Sequence, residues 1–426
     1  MKNTLKRIIK DFHNLDYPKV YERTLEVPFH LNKIISIIGP RRSGKTFYLF
    51  QLMIKLEQMG VKRSQLLYIN FEDERLDIEG KYDYIIESYH ELYPELDLSQ
   101  SYFFFDEIQE LNNWEKYIRR LHDNISKNIF ITGSSSRLLS QEIATSLRGR
   151  SLPFEILPLS FKEFLLFQDI DTTDIYSTKN SSIIQSAFNK YINWGGYPEL
   201  VHMDDHFKVR TLQEYFNVMI YRDLIERYEI KSVHIIKYIL KRLISSFTKE
   251  FSVNKIYNEL KSKGISISKT NLYQMIDQIF SIYMLAVIEK YDLSVVKREM
   301  SNRKIYLYDT GLTSVTQSSL TDDSGKILEN IVFSHLLRMN AQVYFIKNSW
   351  ECDFVFFHQN PEKSTAIQVT QTLNHLNLKR ELKGLDAAKK RLNACETLLL
   401  YQELEPSVSL PSNLKHQSIW TWLLKI

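Results

Sequence analysis

Residues 39–46 read Gly39-Pro40-Arg41-Arg42-Ser43-Gly44-Lys45-Thr46 and match the pattern G-x-x-x-x-G-K-[ST] of a phosphate-binding loop. The apolar run 34–38 before the loop predicts a buried strand, and residues 47–59 after it predict a helix. In such a loop, backbone N–H groups surround phosphate oxygens, Lys45 contributes a positive charge and Thr46 offers a hydroxyl to Mg²⁺. The stretch therefore predicts a site for a nucleoside triphosphate with Mg²⁺.

Further apolar runs alternate with helical stretches up to residue 165. They predict strands at 65–71, 101–106, 128–132 and 152–157. This alternation indicates βαβ units and a parallel α/β sheet, in which ligands bind at the carboxyl ends of the strands. One strand ends in Asp106 and is followed by Glu107, the Walker B pattern. We expect Asp106 to join Thr46 in holding Mg²⁺ and Glu107 to activate the attacking water, so that the nucleotide is hydrolysed.

Two further features are candidates for contacts with the nucleotide. Thr132 and Ser134 lie at the tip of the strand next to Walker B, where a polar side chain can sense the γ-phosphate; an ordinary loop of glycine and serine is the alternative. Arg148 and Arg150 precede the fifth strand and can place a cation on transition-state oxygens, or else they are solvated charges at a helix end. The sequence leaves open whether either arginine acts on its own subunit's nucleotide or on a neighbour's.

Short motifs extend this pattern along most of the chain. They lie at 106–109, 114–115, 132–136, 147–150 and 158–164, and then at 194–199, 221–224 and 308–312. Together they resemble a group of prokaryotic AAA-type P-loop ATPases that carry a C-terminal domain of unknown function. The resemblance implies a P-loop core with an additional strand, ATP and Mg²⁺ as ligands, and Glu107 as the catalytic acid.

The middle of the chain is predicted to be helical. Residues 166–233 are interpreted as a helical connector or lid, and residues 234–316 as a winged helix, with helices at 234–247, 253–263 and 269–281 and wing strands at 286–291 and 304–307. The third helix would be the recognition helix. Side chains suited to base edges or phosphates are Lys269, Asn271 and Gln274 on that helix and Lys297, Arg298, Arg303 and Lys304 in or beside the wing. A rigid connector or protein-binding module with a solvated basic face is the alternative.

The last segment, residues 317–426, is predicted to follow the order α-β-β-β-α-β and resembles the restriction-endonuclease-like superfamily. That superfamily places an acid on the second strand and Asp/Glu-x-Lys on the third, where the acids hold a metal. Asp353 matches the first acid, and Glu329 lies on the preceding helix. Gln368 and Thr370 stand where the second acid and the lysine are expected, and neither supports that chemistry. We therefore expect a nuclease-like fold without nuclease activity.

Composition narrows the class of protein. The chain has 426 residues with 44% hydrophobic content, enough for several domains, of which residues 1–165 are interpreted as the ATPase domain with an N-terminal helix. A formal net charge of +4 permits contact with nucleic acid without requiring it. The 2 cysteines, Cys352 and Cys395, lack metal-ligand spacing, and no apolar run reaches the roughly 18 residues of a membrane span. These features favour a cytoplasmic protein.

Two functions fit these features. The first is a Mg-dependent ATPase that acts as a switch or motor on DNA, on RNA or on a protein bound to nucleic acid. The alternative is a nucleotide-gated signalling or defence scaffold, in which ATP binding controls assembly into a homo-oligomer. A small-molecule kinase is disfavoured, because Glu107 beside Asp106 suits water activation and no acceptor-binding signature is present.

Overall fold

The described part of the chain comprises residues 1–78, 80–133, 147–316, 324–339, 341–358, 363–392 and 395–425 of a computed structural model. It divides into two units, Met1–Leu157 and Pro158–Ile426. Within the described residues, no helix combines the length and the apolarity needed to cross a bilayer.

The first unit contains a parallel sheet. Its strands in chain order are β1 Ile34–Ile38, β2 Leu66–Asn70, β3 Tyr102–Asp106, β4 Ile129–Gly133 and β5 Ser151–Glu155. In space they follow the order β2-β3-β4-β1-β5, and every neighbouring pair is parallel. β1, β3 and β4 are buried along their whole length, as short continuous apolar runs require when both faces of a sheet are covered. β4 lies between the phosphate-loop strand β1 and the Walker B strand β3, so the predicted α/β core with an additional strand is confirmed.

Helices cover both faces of this sheet. They are α1 Lys2–Asn14, α2 Lys45–Gln58, α3 Asp83–Leu92 and α4 Trp114–Asn124. Successive residues of β3 point to opposite faces. Phe103 and Phe105 pack in an apolar core with α1, α3 and α4, whereas Phe104 packs in a second core with α2. The two cores fix the strands in place, and the loops at the carboxyl ends of β1, β3 and β4 are left to build the site.

The second unit begins with helices and continues into a mixed α/β region. Its helices are α5 Phe161–Phe167, α6 Thr178–Trp194, α7 Asp205–Val218, a π-helix Met219–Glu226, α8 Val233–Ile244, α9 Val253–Ser262, α10 Lys269–Phe280, α11 Val295–Met300, α12 Thr313–Thr316, α13 Ser324–Arg338, α14 Leu378–Lys389 and α15 Ile419–Leu423. Its strands are β6 Glu250–Phe251, β7 Leu285–Lys290, β8 Arg303–Leu307, β9 Gln342–Lys347, β10 Glu351–Phe357, β11 Ser364–Leu373, β12 Cys395–Leu404 and β13 Lys415–Ser418. The prediction of a helical region followed by an α/β region is confirmed.

One sheet runs through the two segments that the sequence predicts to be separate domains. Its eight strands have the order β13-β12-β11-β10-β9-β7-β8-β6. β7 and β8 form the antiparallel pair expected of a wing, but β7 also pairs in parallel with β9 through Glu289–Tyr344 and Lys290–Phe345. The elements α13-β9-β10-β11-α14-β12 follow the predicted order α-β-β-β-α-β. The boundary between residues 316 and 317, and the resemblances to a winged helix and to endonucleases, stay predictions.

Two glycine-containing motifs of the second unit meet at the carboxylate of Asp309. This carboxylate accepts hydrogen bonds from the backbone N–H of Gly196 at 2.7 Å and of Gly311 at 2.8 Å. Gly195 has a φ of +71°, and a Cβ added to Gly196 would lie 2.3 Å from the carbonyl oxygen of Leu159. Burial raises the pKa of Asp309 to about 6, and the two N–H donors oppose this shift. We call Gly195, Gly196, Asp309 and Gly311 the glycine joint.

Candidate nucleotide site

The phosphate loop turns sharply between β1 and α2. Gly39 has a φ of 150° and Gly44 a φ of 94°, which favour glycine, and a Cβ added to Gly39 would lie 2.1 Å from the carbonyl oxygen of Ile156. α2 begins at Lys45, earlier than predicted, so that its N-terminus adjoins the loop and its dipole favours an anion there. The Lys45 ammonium donates to the carbonyl oxygens of Gly39 at 3.2 Å and Pro40 at 3.0 Å.

A buried arginine supports the loop from behind. The guanidinium of Arg23 donates to the carbonyl oxygens of Ser43 at 2.7 Å and Leu157 at 2.6 Å, which ties the loop to the segment after β5. Its backbone N–H donates to the side-chain oxygen of Gln51 on α2 at 2.8 Å. Arg23 belongs to no motif and precedes β1, so nothing near it in the sequence indicates this role.

The carboxylate of Asp106 is buried at the end of β3. Its Oδ2 accepts hydrogen bonds from the hydroxyls of Thr46 at 2.7 Å and Tyr68 at 3.0 Å. Its Oδ1 accepts a hydrogen bond from the hydroxyl of Thr132 on β4. Burial raises the pKa of Asp106, and the negative charge of Glu107 adds to this shift, whereas the hydroxyl donors oppose it. The structure thus brings Thr46, Asp106 and Thr132 together; Tyr68 joins them without having been predicted.

The oxygens of Thr46 and Asp106 fit Mg²⁺. A hydroxyl and a carboxylate are the hard oxygen donors that this cation prefers. Because the two oxygens are only 2.7 Å apart, a single cation can contact both. Mg²⁺ is normally held by one or two carboxylates and completes its shell with waters and substrate phosphates. A pair of protein ligands beside a phosphate loop is therefore a suitable set for a cation that arrives with the nucleotide.

Glu107 directly follows β3 in a left-handed backbone conformation with a φ of 50°. Such a conformation is uncommon for residues other than glycine and is concentrated at functional sites. The Glu107 N–H donates to the Thr132 hydroxyl at 2.8 Å, so that one hydroxyl bridges Glu107 and Asp106. The Glu107 carboxylate accepts a hydrogen bond from Gln109 Nε2 at 2.6 Å. Thr132 orients the Walker B pair, and Gln109 restrains the carboxylate that is expected to activate water.

Arg148 and Arg150 lie at the amino end of β5, on the sheet edge opposite the phosphate loop. β5 pairs in parallel and in register with β1, whose carboxyl end leads into the loop. A strand of five residues separates the two edges by about 15 Å. Arg150 Nε donates to Asp123 at 2.9 Å, and Arg148 is exposed. Neither arginine therefore lies beside the phosphate loop of its own chain. Ser134 lies outside the described residues.

Comparisons with known proteins place the chain in a family. A model of an AAA domain matches residues 31–165, and a model of the Domain of unknown function (DUF8612) matches residues 185–323. Uncharacterized protein MJ1544 of Methanocaldococcus jannaschii is 39% identical over 385 residues, which are 88% of this chain and 82% of the relative. An uncharacterized protein of Haemophilus influenzae is 32% identical over 327 residues, 76% of this chain and 78% of that protein. The chain belongs to this family of AAA-domain proteins. The resemblance inferred from the motifs is confirmed.

Two solved structures are distantly similar to this AAA-domain protein. The ORC1 protein of Aeropyrum pernix in complex with DNA has a TM-score of 0.30 and 11% identity, covering 74% of this chain and 92% of that chain. AMPPCP-bound DnaA from Aquifex aeolicus has a TM-score of 0.25 and 14% identity, covering 65% of this chain and 86% of that chain.

The predicted recognition helix of the AAA-domain protein is α10. Ser268 caps it, since the Ser268 hydroxyl accepts a hydrogen bond from the Asn271 N–H at 3.1 Å. Lys269, Asn271 and Gln274 are exposed along its first turns. The Lys269 ammonium lies 3.2 Å from the side-chain oxygen of Asn254, and this contact is exposed.

The expected nucleic-acid contact by Lys304 is wrong. Only 2% of this side chain is exposed, because β8 packs against α13 and directs Lys304 into the second unit. Its ammonium forms ion pairs with Glu351 at 2.6 Å and Glu329 at 3.2 Å. Burial lowers the pKa of Lys304, but the negative charges of Glu329, Asp353 and Glu351 raise it by more, so that the net shift is upward. The neighbouring Arg303 is partly exposed and lies 3.6 Å from a carboxylate oxygen of Glu289.

A cavity of about 770 Å³ adjoins these acids. Its lining includes the four positions compared with nucleases, Glu329, Asp353, Gln368 and Thr370. Burial, with the negative charge of Glu329, raises the pKa of Asp353 well above its usual value. The Gln368 side-chain oxygen lies 3.4 Å from the Asp353 N–H, where the superfamily expects an acid. The structure thus gathers the predicted positions around one cavity, with the ammonium of Lys304 among the acids.

Proposed function

We propose that this AAA-domain protein binds ATP with Mg²⁺ and hydrolyses it, and that the nucleotide state drives a switch or motor. The observation that carries the proposal is the hydrogen-bonded cluster of Thr46, Asp106, Glu107 and Thr132 at one sheet edge. Phosphoryl transfer needs positioning and charge stabilisation more than covalent chemistry by the protein. The site offers a phosphate loop, the buried carboxylate of Asp106 and the carboxylate of Glu107 beside it. These groups support both the positioning and the charge stabilisation.

Each side chain has a distinct part in the proposed reaction. The Lys45 ammonium leaves the loop carbonyls and binds phosphate oxygens. Thr46 and Asp106 would hold Mg²⁺, which would supply positive charge to offset the charge of the phosphates. Glu107 accepts a proton from the attacking water. Thr132 keeps the two acids in their mutual orientation through its hydroxyl.

Replacing Lys45 tests the nucleotide site directly. In Lys45→Ala we expect no detectable phosphate release and an ATP Kd raised by about 10- to 100-fold, because a charged hydrogen bond contributes about 1.5–3 kcal/mol. Phosphate release and equilibrium ATP binding are the measurements. Lys55→Ala is the matched control: Lys55 lies in the last turn of the same helix, pairs with Glu22 at 2.7 Å and should leave both values unchanged. Undiminished hydrolysis by Lys45→Ala would refute the proposed site.

The partner in this proposal is a nucleic acid or a protein bound to one. Support comes from Lys269, Asn271 and Gln274, which share an exposed helix start, and from the formal net charge of +4. The test is the ATPase rate with single-stranded DNA, duplex DNA and RNA, each at two salt concentrations. Stimulation that falls with rising salt identifies the partner class, since phosphate contacts release counterions. If the protein binds neither DNA nor RNA at low salt, this part of the proposal is wrong.

The second candidate function, nucleotide-gated assembly, is favoured by the position of Arg148 and Arg150. Both lie on the sheet edge opposite the phosphate loop of their own chain. In an assembly where this edge meets the next subunit's nucleotide, an arginine can stabilise the transition state and raise the rate by about 10³–10⁵-fold.

Mixing two inactive proteins tests that arrangement. Arg148→Ala/Arg150→Ala protein and Lys45→Ala protein should each be inactive alone. Mixed, they should recover part of the wild-type rate, because some interfaces then combine an intact loop with intact arginines. Particle mass with and without ATP is the second measurement, and it should rise with ATP. A double arginine variant as active as wild type, or a mass indifferent to ATP, would contradict the assembly function.

A further inference from the structure

The side-chain amide of Gln109 is hydrogen-bonded through its nitrogen, whereas its oxygen is left without a partner among the described residues. It lies in the short turn Ile108–Glu110 directly after Glu107. Its Nε2 donates to Glu107 Oε2 at 2.6 Å. Its carbonyl oxygen, Oε1, is buried and has no hydrogen-bond partner among the residues that the structure describes. Buried acceptors are nearly always paired with protein or water, since leaving one unpaired costs about 1–3 kcal/mol.

The side-chain amide of Gln109 lies directly beside the Glu107 carboxylate. The amide group is fixed to the carboxylate that is expected to take a proton from water, so its oxygen is held in the same neighbourhood. The left-handed backbone of Glu107, with a φ of 50°, directs the chain into the turn that carries Gln109. Water has two protons to donate, and a nucleophilic water is oriented fully only when both have acceptors.

We propose that Gln109 is a second water-binding residue of the hydrolytic site. This inference rests on the proposed ATPase function. One proton of the attacking water is donated to Glu107 Oε1, and the other is donated to Gln109 Oε1, so that a lone pair faces the γ-phosphorus. As the water oxygen bonds to that phosphorus, the proton on Glu107's side passes to the carboxylate. The bond from the γ-phosphorus to the bridging oxygen breaks, and ADP keeps its electron pair. Gln109 itself gains and loses no proton.

A purely structural role would look different. If Gln109 only props up Glu107, any side chain that donates a hydrogen bond to Glu107 Oε2 should suffice. Gln109→Lys keeps a donor and offers no acceptor, whereas Gln109→Leu removes both. Gln100→Leu is a control of matched chemistry, because Gln100 lies in a similar short turn, Leu98–Gln100, and is exposed.

The experiment measures kcat, KM and the affinity for ADP with aluminium fluoride and Mg²⁺, a mimic of the γ-phosphoryl group under attack. Both Gln109 variants should lose roughly 10- to 100-fold in kcat, with KM within about twofold of wild type. Both should bind the mimic roughly 10-fold more weakly and ADP alone as tightly as wild type. The Gln100→Leu control should match wild type throughout.

The outcomes separate this inference from the ATPase proposal. If wild type hydrolyses no ATP, the ATPase proposal fails, and the difference between the mimic and ADP still reports whether Gln109 contacts the water. If wild type hydrolyses ATP and Gln109→Lys has the same kcat, Gln109 only positions Glu107 and the inference is overturned. Equal affinity of wild type and Gln109→Lys for the mimic overturns it as well. Should Gln109→Leu fail to fold, the lysine variant decides alone.

Discussion

Glu107→Gln is expected to lower the kcat of ATP hydrolysis by about 10²–10⁴-fold and to leave the affinity for Mg-ATP within about twofold of wild type. The amide has the shape of the carboxylate and still accepts the 2.6 Å hydrogen bond from Gln109. It cannot take a proton from water, and general-base catalysis contributes an effect of that size. The protein should therefore bind ATP and stall.

Single-turnover phosphate release and equilibrium binding of ATP measure this separation. Glu110→Gln provides the matched control, since Glu110 lies in the same turn but is exposed. It should retain the wild-type rate and affinity. A Glu107→Gln protein that turns over at the wild-type rate would show that another group activates the water. A protein that no longer binds ATP would show that Glu107 holds the loop and not the water.

Gly196→Ala should destabilise the second unit by about 2–4 kcal/mol. The added Cβ would lie 2.3 Å from the carbonyl oxygen of Leu159, and backbone atoms have little freedom to move away. Displacing Gly196 also weakens its 2.7 Å hydrogen bond to Asp309, whose buried carboxylate then loses a donor. The overpacking and the lost donor act together on the glycine joint.

Urea unfolding followed by tryptophan fluorescence measures this effect, because Trp194 adjoins the glycine joint. Gly325→Ala is the control, since among the described residues no atom outside the adjoining backbone of its own helix lies within 4 Å of a Cβ added there. Gly325 is in helix α13, where alanine is favoured over glycine, so the control should be neutral or slightly more stable. Equal urea midpoints for Gly196→Ala and wild type would mean that the joint contributes little.

The core of the first unit could be predicted because its signals are local. The phosphate loop is a single run of residues, and Asp106 ends an apolar strand that is buried along its length. Thr132 could be found for the same reason, as the polar tip of a neighbouring apolar strand. The period and length of these runs decide the element, and the carboxyl ends of parallel strands then meet at one edge.

The remaining features depend on contacts between distant residues. Arg23 donates to Leu157, 134 residues away, and nothing near Arg23 in the sequence indicates a partner. Lys304 has the composition of a surface cation, yet Glu329 and Glu351 neutralise it inside the second unit. Gln109 is part of a recognised motif, but its unpaired oxygen becomes visible only when the fold is known. The residue type is known from the sequence, but the role of each of these side chains depends on its burial and on the partners that the fold brings to it.

The glycine joint has a consequence for the order in which the chain is made. Gly196 and its acceptor Asp309 are 113 residues apart. At a synthesis rate of about 5–20 residues per second, Gly196 leaves the ribosome roughly 6–20 s before its partner. The described residues of the nucleotide site all lie within Met1–Leu157 and can assemble during that interval. In a nascent chain, the phosphate loop should therefore be folded before the second unit, Pro158–Ile426, has a stable fold.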